Sequence, residues 1–204
     1  MDQLEMSQPG IVPQTKGKLT NQKIIGTQNT IDHLSTLIHV HLMQDLTLKS
    51  TISVKESFES FCQDCDVTLK KIRADNRRFA DTDFMNHVHL RRQSIELCGV
   101  GAHHQNSVAE RMNRTLTEKS QTILLHAKRL WPEAISVALW PLAILYAAYL
   151  YNYFSFDNDR LAPIEKFCKT KSHTNVFNIH PWGCPVYILD EKLQNGQKIP
   201  FWEP

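Results

Sequence analysis

Two carboxylates, Asp75 and Glu110, lie 110 − 75 = 35 positions apart in the segment that most constrains the fold of this chain. Asp75 follows a strand-like run over residues 67–72, and Glu110 lies in the first turn of a strongly patterned helix. Between them the pattern predicts a short helix and a short strand, so the chain can leave a sheet and return to it. We therefore predict that both carboxylates reach one edge of a sheet, close enough to share a divalent metal.

Such a pair of carboxylates suits phosphodiester chemistry. Two divalent cations about 3.5–4 Å apart can activate an attacking oxygen and stabilise the leaving oxygen. Magnesium binds through a few carboxylates, while water and phosphate fill its other positions. A site of this kind needs acidic side chains on rigid elements and no nucleophilic side chain. A third carboxylate is expected from another strand, and Asp2 is the first candidate.

The patterning around this segment predicts one α/β domain. Alternating apolar and polar residues predict strands over residues 24–31 and 36–42, joined by a short turn as a hairpin. Residues 1–20 are polar and carry several Pro and Gly residues, so we expect a strand remnant followed by a long loop. An apolar stripe predicts an amphipathic helix that Ser50 or Thr51 caps.

The helix that contains Glu110 begins near Ser107 and has one apolar side. Ser107 and Glu110 also fit a capping box, S-x-x-E, which would explain Glu110 without any metal. Further along, Pro132 is expected at the first position of another helix, which Pro141 kinks or divides.

Charge is distributed unevenly along the chain. The net charge is only +2, so the overall balance does not argue for nucleic acid. Residues 66–130 carry 12 Lys and Arg against 7 Asp and Glu, which leaves 23 − 12 = 11 against 21 − 7 = 14 elsewhere. The excess of positive charge thus lies in the segment that holds Asp75 and Glu110, as a phosphate-binding face requires. A solvated helix face with surplus Arg is the alternative.

The cysteines and the apolar run point to an intracellular protein outside the membrane. The five cysteines are odd in number and irregularly spaced, which is typical of a reduced protein. Cys62 and Cys65 form a C-x-x-C without a second ligand pair, so we interpret them as core cysteines. The apolar run over residues 137–151 is about 15 residues long, shorter than the ~20 needed to span a bilayer, so we predict a buried helix.

Four sequence motifs resemble the integrases of copia-type retrotransposons, within the retroviral-integrase-like and ribonuclease-H-like superfamily. They are ADNRRF, CGVGAHHQNSVAER, LWPLAILYAAYLYN and HPWGCPVYILDEKLQ, and Glu110 in the second lies at the family spacing from Asp75 in the first. The segment MDQLEMSQPG resembles the end of the family's first strand, where the first carboxylate lies. The resemblance extends over nearly the whole chain, from Asp2 to Pro204.

The resemblance implies an α/β, ribonuclease-H-like fold with a mixed five-stranded sheet flanked by helices and a truncated first strand. It implies that Asp2, Asp75 and Glu110 are the catalytic and metal-binding residues, with Mg²⁺ or Mn²⁺ as cofactor. The implied activity is processing of DNA 3′ ends and strand transfer into target DNA. We expect residues 1–153 to form the catalytic core and residues 154–204 a C-terminal extension of it.

Several residues near the carboxylates are expected to contact DNA. By the resemblance these are a residue that adjoins Asp75 and the loop before Glu110: Asn76, His104, Gln105 and Asn106. Arg111 and Arg114 on the following helix are expected to contact phosphates, which positions nucleic acid without reading its sequence. The implied partners are the DNA ends of the element, target DNA and further copies of the chain, in the nucleus.

One departure from the family pattern keeps alternatives open. Arg77 stands where the family has Gly after the second acid, and a side chain would strain a turn with positive φ by about 1 kcal/mol or more. The alternative is a decayed or co-opted fragment that retains the fold and binds only nucleic acid or protein. A third possibility is a ribonuclease-H-like nuclease that uses the same acids to cut rather than to join.

Overall fold

The computed structural model describes residues 1–13, 20–76, 79–99, 106–172 and 174–187. Its five strands are β1 Asp2–Ile11, β2 Lys23–Ile31, β3 Ile38–Met43, β4 Lys71–Ala74 and β5 Ser94–Leu97. Its five α-helices are α1 Leu48–Asp64, α2 Thr82–Leu90, α3 Ser107–Leu130, α4 Trp140–Phe154 and α5 Pro163–Cys168. Short 3₁₀ turns lie at Val137–Leu139 and Val176–Asn178. The alternation of strands and helices confirms the predicted α/β class.

The expected five-stranded sheet is corrected to a three-stranded and a two-stranded sheet. In the described residues β1, β2 and β3 form an antiparallel sheet, and β4 pairs with β5 in parallel. One backbone contact joins them, because the amino group of Met1 donates to the carbonyl oxygen of Arg73 at 2.6 Å. Among the described residues β1 pairs only with β2, and β4 pairs only with β5.

The predicted hairpin of β2 and β3 is confirmed, with Ile31 opposite Ile38. The first strand, in contrast, is longer than the predicted remnant: it extends over ten residues and pairs with β2 near both of its ends. Its ladder is irregular between Glu5 and Gly10, and Pro9 lies in this irregular part, where a missing N–H removes no ladder bond. Gly10 is required because a Cβ there would lie 2.2 Å from the ring of Pro141.

Helices cover both faces of the antiparallel sheet. On one face α1 and α5 contribute Phe58 and Phe167 to a cluster that includes Ile72. On the other face α3 and α4 contribute Leu116 and Ile144 to a second cluster. β2 runs between the two clusters, and its residues from Thr27 to Thr30 are buried although all are polar. Gln28 and Nδ2 of Asn29 form hydrogen bonds to other side chains, whereas Oγ1 of Thr27 and Thr30 and Oδ1 of Asn29 have no hydrogen-bond partner among the described residues.

The predicted helix at Pro132 is wrong. Residues 132–134 form a turn, and α4 begins at Trp140 with Pro141 in its first turn. Proline fits there because the first N–H groups of a helix have no intrahelical partner. By length and composition Val137–Phe154 could cross a membrane, and 33% of this stretch is buried. Ile144 and Ala147 pack against α3 and the sheet, which is how a core helix uses such residues.

One cysteine pair corrects the expectation of reduced core cysteines. Cys65 at the end of α1 forms a disulfide with Cys168 at the end of α5, across 103 residues of sequence. Cys62 is a free, buried cysteine, as predicted, and burial raises the pKa of its thiol to about 11. The C-x-x-C spacing therefore reflects two cysteines with different roles.

A buried ion pair lies inside α1. The ammonium of Lys55 is fully buried and donates to the carboxylate of Glu59 at 2.7 Å. Burial alone would raise the pKa of Glu59, but hydrogen bonds from Lys55 and Gln93 lower it on balance. The negative charge of Glu59 compensates the positive charge of Lys55, which would be costly to bury alone.

We predict that Glu59→Gln costs about 3–5 kcal/mol of unfolding free energy, because it leaves the Lys55 charge buried without its counter-charge. Urea unfolding followed by circular dichroism measures this loss. Glu118→Gln is the matched control, since Arg114 and Glu118 form a pair at the same i,i+4 spacing on the surface. The control should cost less than about 0.5 kcal/mol. Equal losses would show that Lys55 does not depend on Glu59.

Candidate metal and nucleic-acid site

The carboxylate of Asp2 is held in place at the first residue of β1. Its Oδ1 accepts a hydrogen bond from the backbone N–H of Gln3 at 2.9 Å, and its Oδ2 accepts one from Nδ2 of Asn113 on α3 at 2.7 Å. The side chain is half-buried. Each carboxylate oxygen can accept a second bond, so Asp2 keeps acceptor capacity for a cation.

Asp75 and Glu110 reach the same region from other elements. Asp75 directly follows β4 and is half-buried. Glu110 is exposed in the first turn of α3. The capping-box explanation of Glu110 is wrong, because α3 has Asn106 as its N-cap and no side-chain hydrogen bond closes this end among the described residues. Glu110 is therefore one position too far along the helix to act as the cap's partner.

Electrostatics connect the three carboxylates. Burial raises the pKa of Asp2 most, and the charges of Asp75 and Glu110 raise it further, against the lowering effect of the Gln3 N–H and the amino terminus. Burial also lowers the pKa of the Met1 amino group to about 6, while the charges of Asp2 and Asp75 oppose this. Because the charges of Asp75 and Glu110 both act on Asp2, the three carboxylates lie in one region of the structure.

The carboxylates match a hard cation in chemistry but do not form a closed ligand cage. Asp2 and Glu110 line one open cavity of about 440 Å³, together with Asn113 and Arg114. An all-oxygen donor set of this kind suits Mg²⁺ or Mn²⁺. Among the residues that the structure describes, however, no three His, Cys, Asp or Glu side chains lie close enough together to hold a metal ion.

Two asparagines that sequence reasoning missed position Asp2. Nδ2 of Asn29 on β2 donates to Oδ1 of Asn113 at 2.7 Å, and Asn113 in turn donates to Asp2. Asn29 and Asn113 are both buried. A signal was present, because Asn113 lies three residues after Glu110 and thus on the same side of α3. Asn113 thus connects Asn29 of the sheet to the carboxylate of Asp2 through two hydrogen bonds.

The expected DNA contacts are only partly within the described residues. Arg111 and Arg114 are exposed in the first turns of α3, and Nε of Arg114 donates to Glu118 at 2.8 Å. Asn76 is half-buried beside Asp75, and Asn106 is buried at the N-cap of α3. His104, Gln105 and Arg77 lie outside the described residues. Exposed ion pairs are weak, so Arg114 can exchange Glu118 for a phosphate.

Comparison with known proteins identifies the fold. No protein-family model matches this sequence, and no curated protein does. The structure is similar to the trimeric form of the HTLV-2 integrase catalytic core domain in complex with magnesium, with a TM-score of 0.53 and 17% identity, over 80% of this chain and 93% of that one. The dimeric form matches with a TM-score of 0.53 and 16% identity, over 81% and 94%.

A larger assembly contains the same fold. A simian T-cell lymphotropic virus intasome in complex with the PP2A regulatory subunit B56 gamma matches with a TM-score of 0.53 and 14% identity, over 93% of this chain and 60% of that one. At these identities the similarity concerns the fold. The chain therefore has the α/β fold of integrase catalytic cores.

We predict that Asp2→Asn changes stability in a pH-dependent way. The pKa of Asp2 is higher in the folded chain than its ordinary 3.8, so between these two values the folded state binds more protons than the unfolded state. Stability therefore falls as pH rises through this window, and the variant lacks this loss. Relative to wild type, Asp2→Asn should be more stable at about pH 7 than at about pH 3.5, by urea unfolding in EDTA.

The control for this prediction is Asp64→Asn, which changes an exposed carboxylate at the end of α1. The change in its stability between the two pH values serves as the baseline for an exposed carboxylate. If Asp2→Asn shows no more pH dependence than Asp64→Asn, then burial and the charges of Asp75 and Glu110 do not raise the pKa of Asp2 as described.

Proposed function

We propose that this chain is the catalytic core of a copia-type retrotransposon integrase, which processes DNA 3′ ends and joins them to target DNA. One observation carries the proposal. Carboxylates from β1, from the end of β4 and from the first turn of α3 interact in one region of an integrase-like fold. They are Asp2, Asp75 and Glu110, the residues that the sequence motifs select.

In this proposal Asp2, Asp75 and Glu110 hold Mg²⁺ or Mn²⁺. Bound there, such cations would supply activation of the attacking oxygen, from water or a DNA 3′-hydroxyl, and stabilisation of the leaving oxygen. The hydrogen bond from Asn113 holds the Asp2 carboxylate towards α3. The carboxylate therefore does not have to reorient when it binds a metal ion. No side chain of the protein forms a covalent bond to DNA. Arg111 and Arg114 lie on the same helical turns as Glu110 and contact the phosphates that flank the reacting one.

The partners follow from this function. They are the DNA ends of the element and its target DNA, and such a protein acts in the nucleus. The HTLV-2 cores are described as dimeric and trimeric, and the simian virus protein as part of an intasome, which supports an assembly of several copies here. The exposed side chains of Val137 and Tyr149 on the apolar segment around α4 offer a surface for such an assembly.

One observation favours the alternative of a non-catalytic relative. The carboxylates of the described residues are not gathered into a metal-binding cluster. A decayed or co-opted chain would keep the integrase-like fold and the exposed arginines of α3, and it would bind nucleic acid or protein without turning DNA over. Metal binding separates the two functions.

We predict that Mn²⁺ titrated calorimetrically into the folded chain binds saturably and that Asp75→Asn abolishes this binding. Removal of one of three carboxylates from a site that supplies only oxygen ligands should weaken it by at least tenfold. The matched control is Asp64→Asn, which removes an exposed carboxylate outside the site and should bind like wild type.

Each result has a defined meaning. Binding that survives Asp75→Asn would exclude the proposed ligand set. An absence of binding in wild-type protein that unfolds cooperatively would favour the non-catalytic alternative. Loss of binding in both variants would indicate that Mn²⁺ binds through general negative charge, and it would also contradict the proposal.

We predict that Arg111→Gln and Arg114→Gln each weaken binding of duplex DNA uniformly across sequences. Each change should lower the slope of log Kd against log salt by about one, because one phosphate contact is lost. Fluorescence anisotropy of a labelled duplex at several salt concentrations measures the slope. Arg129→Gln, at the exposed far end of α3, is the control and should leave the slope unchanged. If all three variants have the slope of wild type, then Arg111 and Arg114 do not contact DNA phosphates.

A further inference from the structure

The strand β3 lies at the edge of the antiparallel sheet, because β2 is its neighbour on one side and the described residues supply no strand on the other. Asp32 donates to the Leu37 carbonyl at 2.9 Å, so these two residues bond to each other across the hairpin. Hydrogen-bonded and non-hydrogen-bonded pairs alternate along an antiparallel ladder. The backbone N–H and C=O groups of Ile38, Val40 and Leu42 are therefore directed away from β2.

The side chain of Asn152 on α4 occupies one end of this edge. Its Oδ1 accepts a hydrogen bond from the N–H of Ile38 at 3.0 Å, and its Nδ2 donates to the Ile38 carbonyl at 2.7 Å. One side-chain amide thus takes both backbone groups of Ile38, which confirms that they are directed away from β2. On the same side, the described residues supply no partner for the N–H and C=O groups of Val40 and Leu42. We call these four backbone groups the β3 edge.

The β3 edge lacks the features that keep exposed strands from pairing. Natural edge strands carry charged residues, Pro or bulges, which prevent the addition of a further strand. β3 has the sequence Ile-His-Val-His-Leu-Met, with no Pro and no Lys, Arg, Asp or Glu, and its ladder with β2 is regular. Burial lowers the pKa of His39 to about 4 and also lowers that of His41, so both rings are neutral at pH 7. A further strand can therefore approach without meeting a charge on β3.

The backbone of the β3 edge is complementary to a second copy of itself. When two β3 strands run antiparallel with His41 opposite His41, Val40 of each copy lies opposite Leu42 of the other. These become hydrogen-bonded pairs, and their four hydrogen bonds use every group of both edges. A register shifted by one two-residue step would instead place Leu42 opposite Ile38, which Asn152 already occupies, or Val40 opposite Gln44, which lies beyond the end of β3. One register therefore satisfies both copies completely.

The side chains match in the same register. Val40 and Leu42 are half-buried against the cluster of α3 and α4, so the pairing brings apolar residues of both copies together on that face. On the other face the ring of His39 packs against Phe58 of α1, and its Nδ1 is buried with no hydrogen-bond partner among the described residues. His41 of the second copy is the diagonal neighbour of His39, within reach of a long or aromatic side chain. A neutral imidazole has one donor and one acceptor nitrogen, so it can supply the missing partner.

We propose that two copies of the chain associate through the β3 edge, with β3 of one copy antiparallel to β3 of the other about a two-fold axis at His41. The pairing joins two three-stranded sheets into one six-stranded sheet. Main-chain hydrogen bonds supply the affinity, and the matched apolar and His side chains select a second copy as the partner. The interface includes none of Asp2, Asp75 and Glu110, so it does not depend on the proposed integrase activity.

A cross-link between copies tests the register. All variants carry Cys184→Ser, which removes a half-exposed free cysteine. Oxidation by copper phenanthroline should link two His41→Cys chains, because residues opposite each other in a non-hydrogen-bonded pair have Cα atoms about 4.5 Å apart, within disulfide range. Gln44→Cys is the matched control, at an exposed position just past β3. Its counterpart in the second copy would lie about 20 Å away, so it should not cross-link.

Sedimentation equilibrium measures the association itself. The wild-type chain should show a reversible monomer–dimer equilibrium, and His41→Lys should raise the dimer Kd about tenfold or more, because two like charges then face each other across the axis. His33→Lys makes the same change at an exposed residue of the hairpin turn and should leave Kd unchanged.

Three results would overturn the proposal. A wild type that stays monomeric at high micromolar concentration would leave the β3 edge to a strand of some other protein. Equal cross-linking of His41→Cys and Gln44→Cys would exclude the register. A dimer that His41→Lys does not weaken would form through a different surface. Neither measurement involves a metal ion or DNA, so failure of this interface is distinguishable from failure of the proposed integrase activity.

Discussion

The hydrogen bonds from Asn29 to Asn113 and from Asn113 to Asp2 tie the sheet, the longest helix and the first carboxylate together. Asn29 is fully buried in the central strand β2, where an amide must be satisfied internally. Asn113 accepts a hydrogen bond from Nδ2 of Asn29 and uses its own amide to orient Asp2, while Oδ1 of Asn29 has no hydrogen-bond partner among the described residues. Loss of this contact would leave polar groups unpaired between β2 and α3, and it would release Asp2. Packing and site geometry therefore depend on the same two bonds.

Buried polar residues of β2 also form hydrogen bonds on the other face of the sheet. Gln28, next to Asn29, points to the opposite side, where its Oε1 accepts a bond from Gln3 at 2.8 Å. Gln3 also donates to Thr51 of α1 at 3.0 Å. Neighbouring polar residues on one strand thus connect it to helices on both faces. A central strand of apolar residues would pack equally well, but it would not set the positions of these helices through directional bonds.

The sequence predicted those features that depend on neighbouring residues. The hairpin of β2 and β3, the helix α3 and the arrival of Asp75 directly after a strand all follow from short-range periodicity. Prediction failed where a local rule had two outcomes. Pro132 and Pro141 both suit the first turn of a helix, and in the structure it is Pro141, which packs closely on Gly10, that takes this position. The S-x-x-E pattern at Ser107 failed in the same way, since α3 takes Asn106 as its N-cap.

By itself the sequence determined the α/β class, the order of most elements and the three carboxylates that the motifs select. These properties follow from residue patterns within single elements and from motif spacing. Only the tertiary structure decided that Asn113 orients Asp2, that Cys65 pairs with Cys168 and that the strands divide into two sheets. Each of these depends on groups about 70 to 110 residues apart, whose meeting is set by how the layers pack and not by any local pattern.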